Sequence, residues 1–187
     1  MKNFKLSEID ILSNQDWTFP TTTYYGPGRF NEIGKFCEEF EIKNPLIVTD
    51  SGSKDLPFIN KLETLLSKND IKSEVFYDIS PNPRDDEISK GCDQFRSGKH
   101  DAIIAIGGGS AMDGGKSICL TVNSDTPLWD FEFEQPVPEI TKENAFPKII
   151  TIPTTSGTGA ETEITAMVTH LEKGMKFCIW HPDVMTR

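Results

Sequence analysis

AIIAIGGGSAMDGGK, residues 102–116, is the stretch that decides how this chain folds. Residues 102–106 are apolar without interruption, as a strand covered on both faces in the middle of a parallel sheet must be. Gly107, Gly108 and Gly109 follow at once, then Ser110 and a segment from Ala111 to Leu120 that reads as a helix. Strand, glycines, helix is the order a phosphate cradle requires. Backbone without side chains can approach a pyrophosphate, and the amides that open a helix carry partial positive charge toward it. Ser110 adds a hydroxyl donor or a helix cap. The usual dinucleotide fingerprint is not met, because Met112 fills the third glycine position and no acid stands about 20 residues further on.

The pattern around this stretch repeats helix and strand. Phe30, Ile33, Cys37 and Phe40 share a helical face, Asn44-Pro45 stops it, and Leu46 to Thr49 reads as a strand. A turn at Ser51-Gly52-Ser53 leads to a helix with Ile59, Leu62, Leu65 and Leu66 on one face, then to a strand around Val75-Phe76-Tyr77. Pro81-Asn82-Pro83 must leave the sheet, since proline lacks an amide hydrogen and restricts the residue before it. Residues 85–97 read as a helix closed by Gly98. Residues 123–147 lose the pattern and read as a long loop, functional, partly helical or a lid. Residues 148–152 give one more strand. The alternation predicts an α/β layered domain with a mostly parallel sheet, spanning 1–187 with 1–20 as an N-terminal extension.

Two further places could hold a ligand. Asp50 ends a strand, where its carboxylate could accept hydrogen bonds from ribose hydroxyls and repel an added 2′-phosphate, or could simply cap the turn at Ser51-Gly52. The loop Pro153-Thr154-Thr155-Ser156-Gly157-Thr158-Gly159-Ala160-Glu161 brings hydroxyls and glycines to another strand end, as a polar ligand site or as an ordinary hydroxyl-rich turn.

Composition narrows the partners. A formal charge of -10 and the lack of any dense Lys/Arg cluster argue against nucleic acid and anionic lipid. The first 17 residues mix charge into their apolar positions, so no signal peptide or membrane span is read there, and a cytoplasmic protein is expected. Cys37, Cys92, Cys119 and Cys178 lie far apart with neither disulfide nor zinc spacing and read as reduced, mostly buried thiols. His100, His170 and His181 are scattered and read as surface or packing residues rather than metal ligands.

GGGSAMDGGK (107–116) resembles the GGGSxxDxxK signature of the iron-containing alcohol dehydrogenases, and PTTSGTGAE (153–161) resembles that family's PTTxGTxxE loop. YYGPGRFNEIG (24–34), Val48-Thr49-Asp50, Pro81-Asn82-Pro83 and Lys176 in KFCIWHP extend the resemblance in the same order. It implies a Rossmann-like fold of the architecture shared with dehydroquinate synthase, and NAD as cofactor. It implies that Asp50 contacts the adenosine ribose, that Asn82 contacts the cofactor, and that Gly108, Gly109 and Ser110 bind the pyrophosphate. By the same resemblance Thr154, Thr155 and Thr158 approach the phosphate or nicotinamide side, and Lys176 places a positive charge near the cofactor. Asp113 and Lys116 match the signature, and either touch the cofactor or fix the glycine loop.

The resemblance further implies hydride transfer between the nicotinamide and an alcohol or aldehyde whose oxygen is polarised by Fe2+. In the family that ion is held by an aspartate and three histidines of a helical C-terminal domain. All of these are expected beyond Arg187, which makes this chain a truncated form or isolated domain, expected to bind no iron and to turn over no substrate alone. A zinc-type relative of the glycerol dehydrogenases and an inactive nucleotide-binding module are the competing readings, and the full PTTSGTGAE spelling favours the iron group. A homo-oligomer is left open.

Overall fold

A computed structural model describes residues 15–18 and 21–184, so the expected N-terminal extension lies outside the described residues except for its segment 15–18. That segment is β1 (Gln15–Thr18), paired antiparallel with β2 (Thr22–Tyr25). A short 3-10 turn then enters α1 (Ile33–Glu39). The chain continues through β3 (Pro45–Asp50), α2 (Pro57–Ser67), β4 (Glu74–Ile79), α3 (Asp85–Ser97), β5 (Ala102–Gly107), α4 (Gly109–Thr121) and β6 (Lys148–Pro153). It ends in a hairpin of β7 (Thr165–His170) and β8 (Met175–Trp180).

The main sheet has the order β4-β3-β5-β6, and its ladders are all parallel. From β3 the chain steps outward to β4 and then crosses back to β5 on the other side of β3. The crevice at the carboxyl ends of β3 and β5 is therefore a topological switch point, where ligands of such sheets bind. Alternation along the strands divides the core. Leu46, Val48 and Ile103 pack with Ile88, Phe95 and Ile118 of α3 and α4. Ile47, Ile104 and Ile106 pack with Ile33, Cys37, Leu62 and Leu66 of α1 and α2. Each fully buried branched side chain stabilises the fold by about 1.5–3 kcal/mol relative to exposure.

The helix after the glycines is buried almost throughout. Its close approach depends on missing side chains: a Cβ on Gly114 would stand 2.8 Å from Ile79 Cδ1, and one on Gly115 2.6 Å from Ala105 Cβ. Residues 123–147 contain one 3-10 turn, Leu128–Phe131, with Phe131 buried. Their next residues are pinned to β8, where Glu132 bridges Ile179 and the Phe133 amide donates to the Cys178 carbonyl at 2.8 Å. The partly helical reading agrees with the 3-10 turn.

Cys37, Cys92 and Cys119 are buried and Cys178 is partly so. His100 and His181 are buried with a ring nitrogen on the Asn44 and Pro138 carbonyls, at 3.0 and 3.1 Å. His170 stacks on Trp129, with ring centroids 4.5 Å apart.

Candidate functional site

Three backbone or hydroxyl stitches draw the strand ends into one rim. The Ser51 amide donates to the Ile79 carbonyl at 2.9 Å, and the Thr154 amide to the Gly107 carbonyl at 2.8 Å. The Ser110 hydroxyl donates to the Pro81 carbonyl at 2.7 Å. Asp50, the glycine loop, the Pro81-Asn82-Pro83 loop and the hydroxyl-rich loop after β6 therefore border a single crevice.

The glycine loop differs from residue to residue. Gly107 has φ 145°, and a Cβ there would stand 2.8 Å from Ala111 Cβ and 3.0 Å from Asp50 Oδ2, so this position must be glycine to turn at all. A Cβ on Gly108 would meet only Thr155, at 3.6 Å, and one on Gly109 only Thr158 Oγ1, at 3.8 Å. Those two absent side chains open the gap between the loops. Gly108 is the N-cap of α4 and offers no side-chain acceptor, so the first amides of the helix are left for solvent or for an anion in that gap. Ser110 does not cap the helix, because Gly108 holds the N-cap position and Ser110 lies two residues inside, with its hydroxyl donating to Pro81.

Asp50 is held by its own turn, accepting the Gly52 amide at 3.1 Å on Oδ1 and the Ser53 hydroxyl at 2.8 Å on Oδ2. Each carboxylate oxygen keeps a second lone pair, so turn capping and ribose recognition are compatible in one residue. Asn82 is exposed on its loop, and its carbonyl accepts the Ser80 hydroxyl at 2.8 Å. Thr154, Thr155 and Thr158 are exposed on the far side of the gap. Lys176 is exposed on β8, opposite Thr169, and its charge acts favourably on Asp113.

Lys116 is placed elsewhere. Its ammonium is buried and donates to the carbonyls of Ala160 at 2.7 Å, Glu163 at 3.2 Å and Thr165, with Asp113 Oδ1 at 3.7 Å. The two roles open for this residue are cofactor contact and fixing the glycine loop; its contacts instead hold the 160–165 segment that follows the hydroxyl-rich loop. Burial pulls the Lys116 ammonium below its usual range, and Asp113 and Glu163 oppose that. Burial pushes the Asp113 carboxyl above the usual carboxylate range, against the pull of Lys116.

Sequence reasoning missed three contributors. Ser53 orients Asp50. Thr49 carries a buried hydroxyl without a hydrogen-bond partner, 3.5 Å from where a Gly107 Cβ would lie. Glu87, third residue of α3, binds the Ser80 amide, the Ser80 hydroxyl and the Arg84 amide at 3.2, 3.1 and 3.0 Å, which fixes the loop carrying Asn82. A glutamate at that helix position is the one readable signal among them.

Among the described residues no three of His, Cys, Asp and Glu converge on a metal position, so these residues do not fit an iron ion. The gap between the loops does fit a dinucleotide: open backbone at a helix start in the middle, a carboxylate at one end, hydroxyls at the other.

A sequence model of the family described as iron-containing alcohol dehydrogenase matches residues 20–187. The chain is 30% identical over 166 residues to 1,3-propanediol dehydrogenase of Citrobacter freundii, covering 88% of this chain and 42% of that protein. It is 32% identical over 173 residues to NADH-dependent butanol dehydrogenase A of Clostridium acetobutylicum, covering 90% and 42%. The crystal structure of sulfoacetaldehyde reductase from Bifidobacterium kashiwanohense in complex with NAD+ superposes with a TM-score of 0.74 at 28% identity, covering 86% of this chain and 41% of that one. The chain thus spans about two fifths of the length of these relatives.

Proposed function

The chain belongs to the iron-containing alcohol dehydrogenase family, and from that premise we propose that residues 1–187 form its dinucleotide-binding domain, selective for NAD(H), in a cytoplasmic NAD-dependent dehydrogenase of alcohols or aldehydes. The observation that carries the reading is the gap between Gly108-Gly109 and Thr155/Thr158 at the switch point of the sheet. NAD, when bound, supplies the nicotinamide that exchanges hydride with the substrate.

This chain's residues bind and orient. Asp50 accepts from the adenosine ribose hydroxyls at the end of β3 and repels a 2′-phosphate. The amides at the start of α4 take the pyrophosphate, with Gly108 and Gly109 allowing backbone approach. Ser110 ties that loop to the strand end carrying Asn82. The order Asp50 on β3, glycines on β5, threonines after β6 then sends the nicotinamide half toward Thr154, Thr155 and Thr158.

Titration of NADH and NADPH, followed by nicotinamide fluorescence, tests this. The chain should prefer NADH, and Asp50→Gly should shrink the preference by at least about tenfold, chiefly by weakening NADH, which loses its ribose acceptor. Equal affinity of the unaltered chain for both nucleotides would remove the role of Asp50.

A further inference from the structure

Lys116 lies mid-helix with 1% of its side chain exposed. Burying an ammonium is costly unless its protons find acceptors, and all three do. The Ala160, Glu163 and Thr165 carbonyls that receive them belong to one short segment, which leads from the hydroxyl-rich loop into β7. Asp113, one helical turn earlier, supplies the countercharge and also interacts favourably with the Met167 amide of β7. Two residues further along β7, the Thr169 amide donates to the Pro83 carbonyl at 2.7 Å. Among the described residues only β8 pairs with β7 as a full strand. Its other edge is sealed by side chains of α4 and by the loop before α3.

We propose that Lys116 is a positioning residue for the nicotinamide half of the crevice, strapping the end of the 153–161 loop to the helix that begins at Gly109 and so setting the gap between the two loops. The strap itself follows from the contacts; its effect on nucleotide rests on the reading above. An ammonium spent on three carbonyls has no proton for a phosphate. The strap holds the loop after β6 and leaves the Asp50 turn and the glycine loop untouched. Loss of Lys116 should therefore divide the ligand: the adenosine diphosphate half keeps its site, and the whole dinucleotide loses affinity.

The experiment compares ADP and NADH on the unaltered chain, Lys116→Met and Lys116→Arg, with amide hydrogen exchange read on the same proteins. Lys116→Met should bind ADP within about twofold of the unaltered chain and NADH at least about tenfold more weakly, with Lys116→Arg recovering most of the NADH affinity. Exchange should quicken over residues 158–169 and stay slow over 103–106. ADP and NADH falling in parallel, or neither falling, overturns the proposal. On the unaltered chain, acylation with acetic anhydride should leave Lys116 unmodified with and without NADH. Labelling that NADH suppresses would make Lys116 a direct ligand and would also overturn it. Should the unaltered chain bind neither ADP nor NADH, the nucleotide reading falls, and the exchange comparison still decides whether Lys116 holds the segment.

Discussion

Glycines of one loop and one helix do opposite work. A methyl on Gly108 enters the open gap, where only Thr155 lies near at 3.6 Å. Gly108→Ala should fold with its urea midpoint changed by less than about 1 kcal/mol in stability, yet bind NADH at least about tenfold more weakly. A methyl on Gly115 strikes Ala105 Cβ at 2.6 Å across the α4–β5 contact. Gly115→Ala gains about 1 kcal/mol of helix propensity and should still lose roughly 2 kcal/mol of stability in the same denaturation, because a backbone-close packing cannot yield. The turn at Asp50 and the strand-glycine-helix order at Gly108 and Gly109 could be read from the sequence because they depend on neighbours in the chain. Lys116 could not be assigned that way: its partners are carbonyls 44 to 49 residues away, and a carbonyl has no spelling.

Elements were legible where their periodicity was clean. The uninterrupted runs of β3 and β5 and the Pro-led, Gly-closed α3 stand within two residues of where the pattern predicts them. The β7–β8 hairpin escaped because its outer face mixes Met167, Cys178 and Trp180 with Thr165, Thr169 and Lys176, which blurs the contrast with the inner face of Ala166, Val168 and Ile179. Alternation fades when the outer face of a hairpin carries apolar side chains too. At the start of α3 the key group is Glu87, buried under the Ser80 and Arg84 amides with Arg84 Nη2 at 3.3 Å. Glu87→Ala should cost about 2–3 kcal/mol by equilibrium unfolding, since two amides lose their acceptor, whereas Glu87→Gln keeps a carbonyl oxygen and should cost about 1 kcal/mol. Equal losses in the two variants would show that charge, not acceptance, is what the loop needs.

At the scale of the molecule, the two-sided core was foreseeable from apolar strands between amphipathic helices, and the crossover that makes the switch point was not, because strand order is a property of pairing rather than of any one strand. The core also sets an alkaline limit. Cys37, packed beneath the sheet, has its thiol pushed up from 9.0 to about 11, by burial first and then by Asp101. Below pH 9.0 the thiol is protonated in both folded and unfolded chains, so its contribution is whole; between 9.0 and about 11 only the unfolded thiol ionises, and stability falls. That loss is roughly 2 kcal/mol by about pH 11, and Cys37→Ala should flatten the decline between urea midpoints taken at about pH 8 and about pH 10.5.

The crossover has a consequence for synthesis. β3 is the inner strand that β4 joins first, and its second edge waits for β5, whose first residue is Ala102. While the ribosome makes the intervening α2, β4 and α3, the nascent chain presents Pro45 to Val48 as an open row of amides and carbonyls beside apolar side chains. That interval, closed only when Ile103 and Ile104 arrive, is when this polypeptide is most exposed to pairing with the wrong neighbour, and where a chaperone would have its clearest hold.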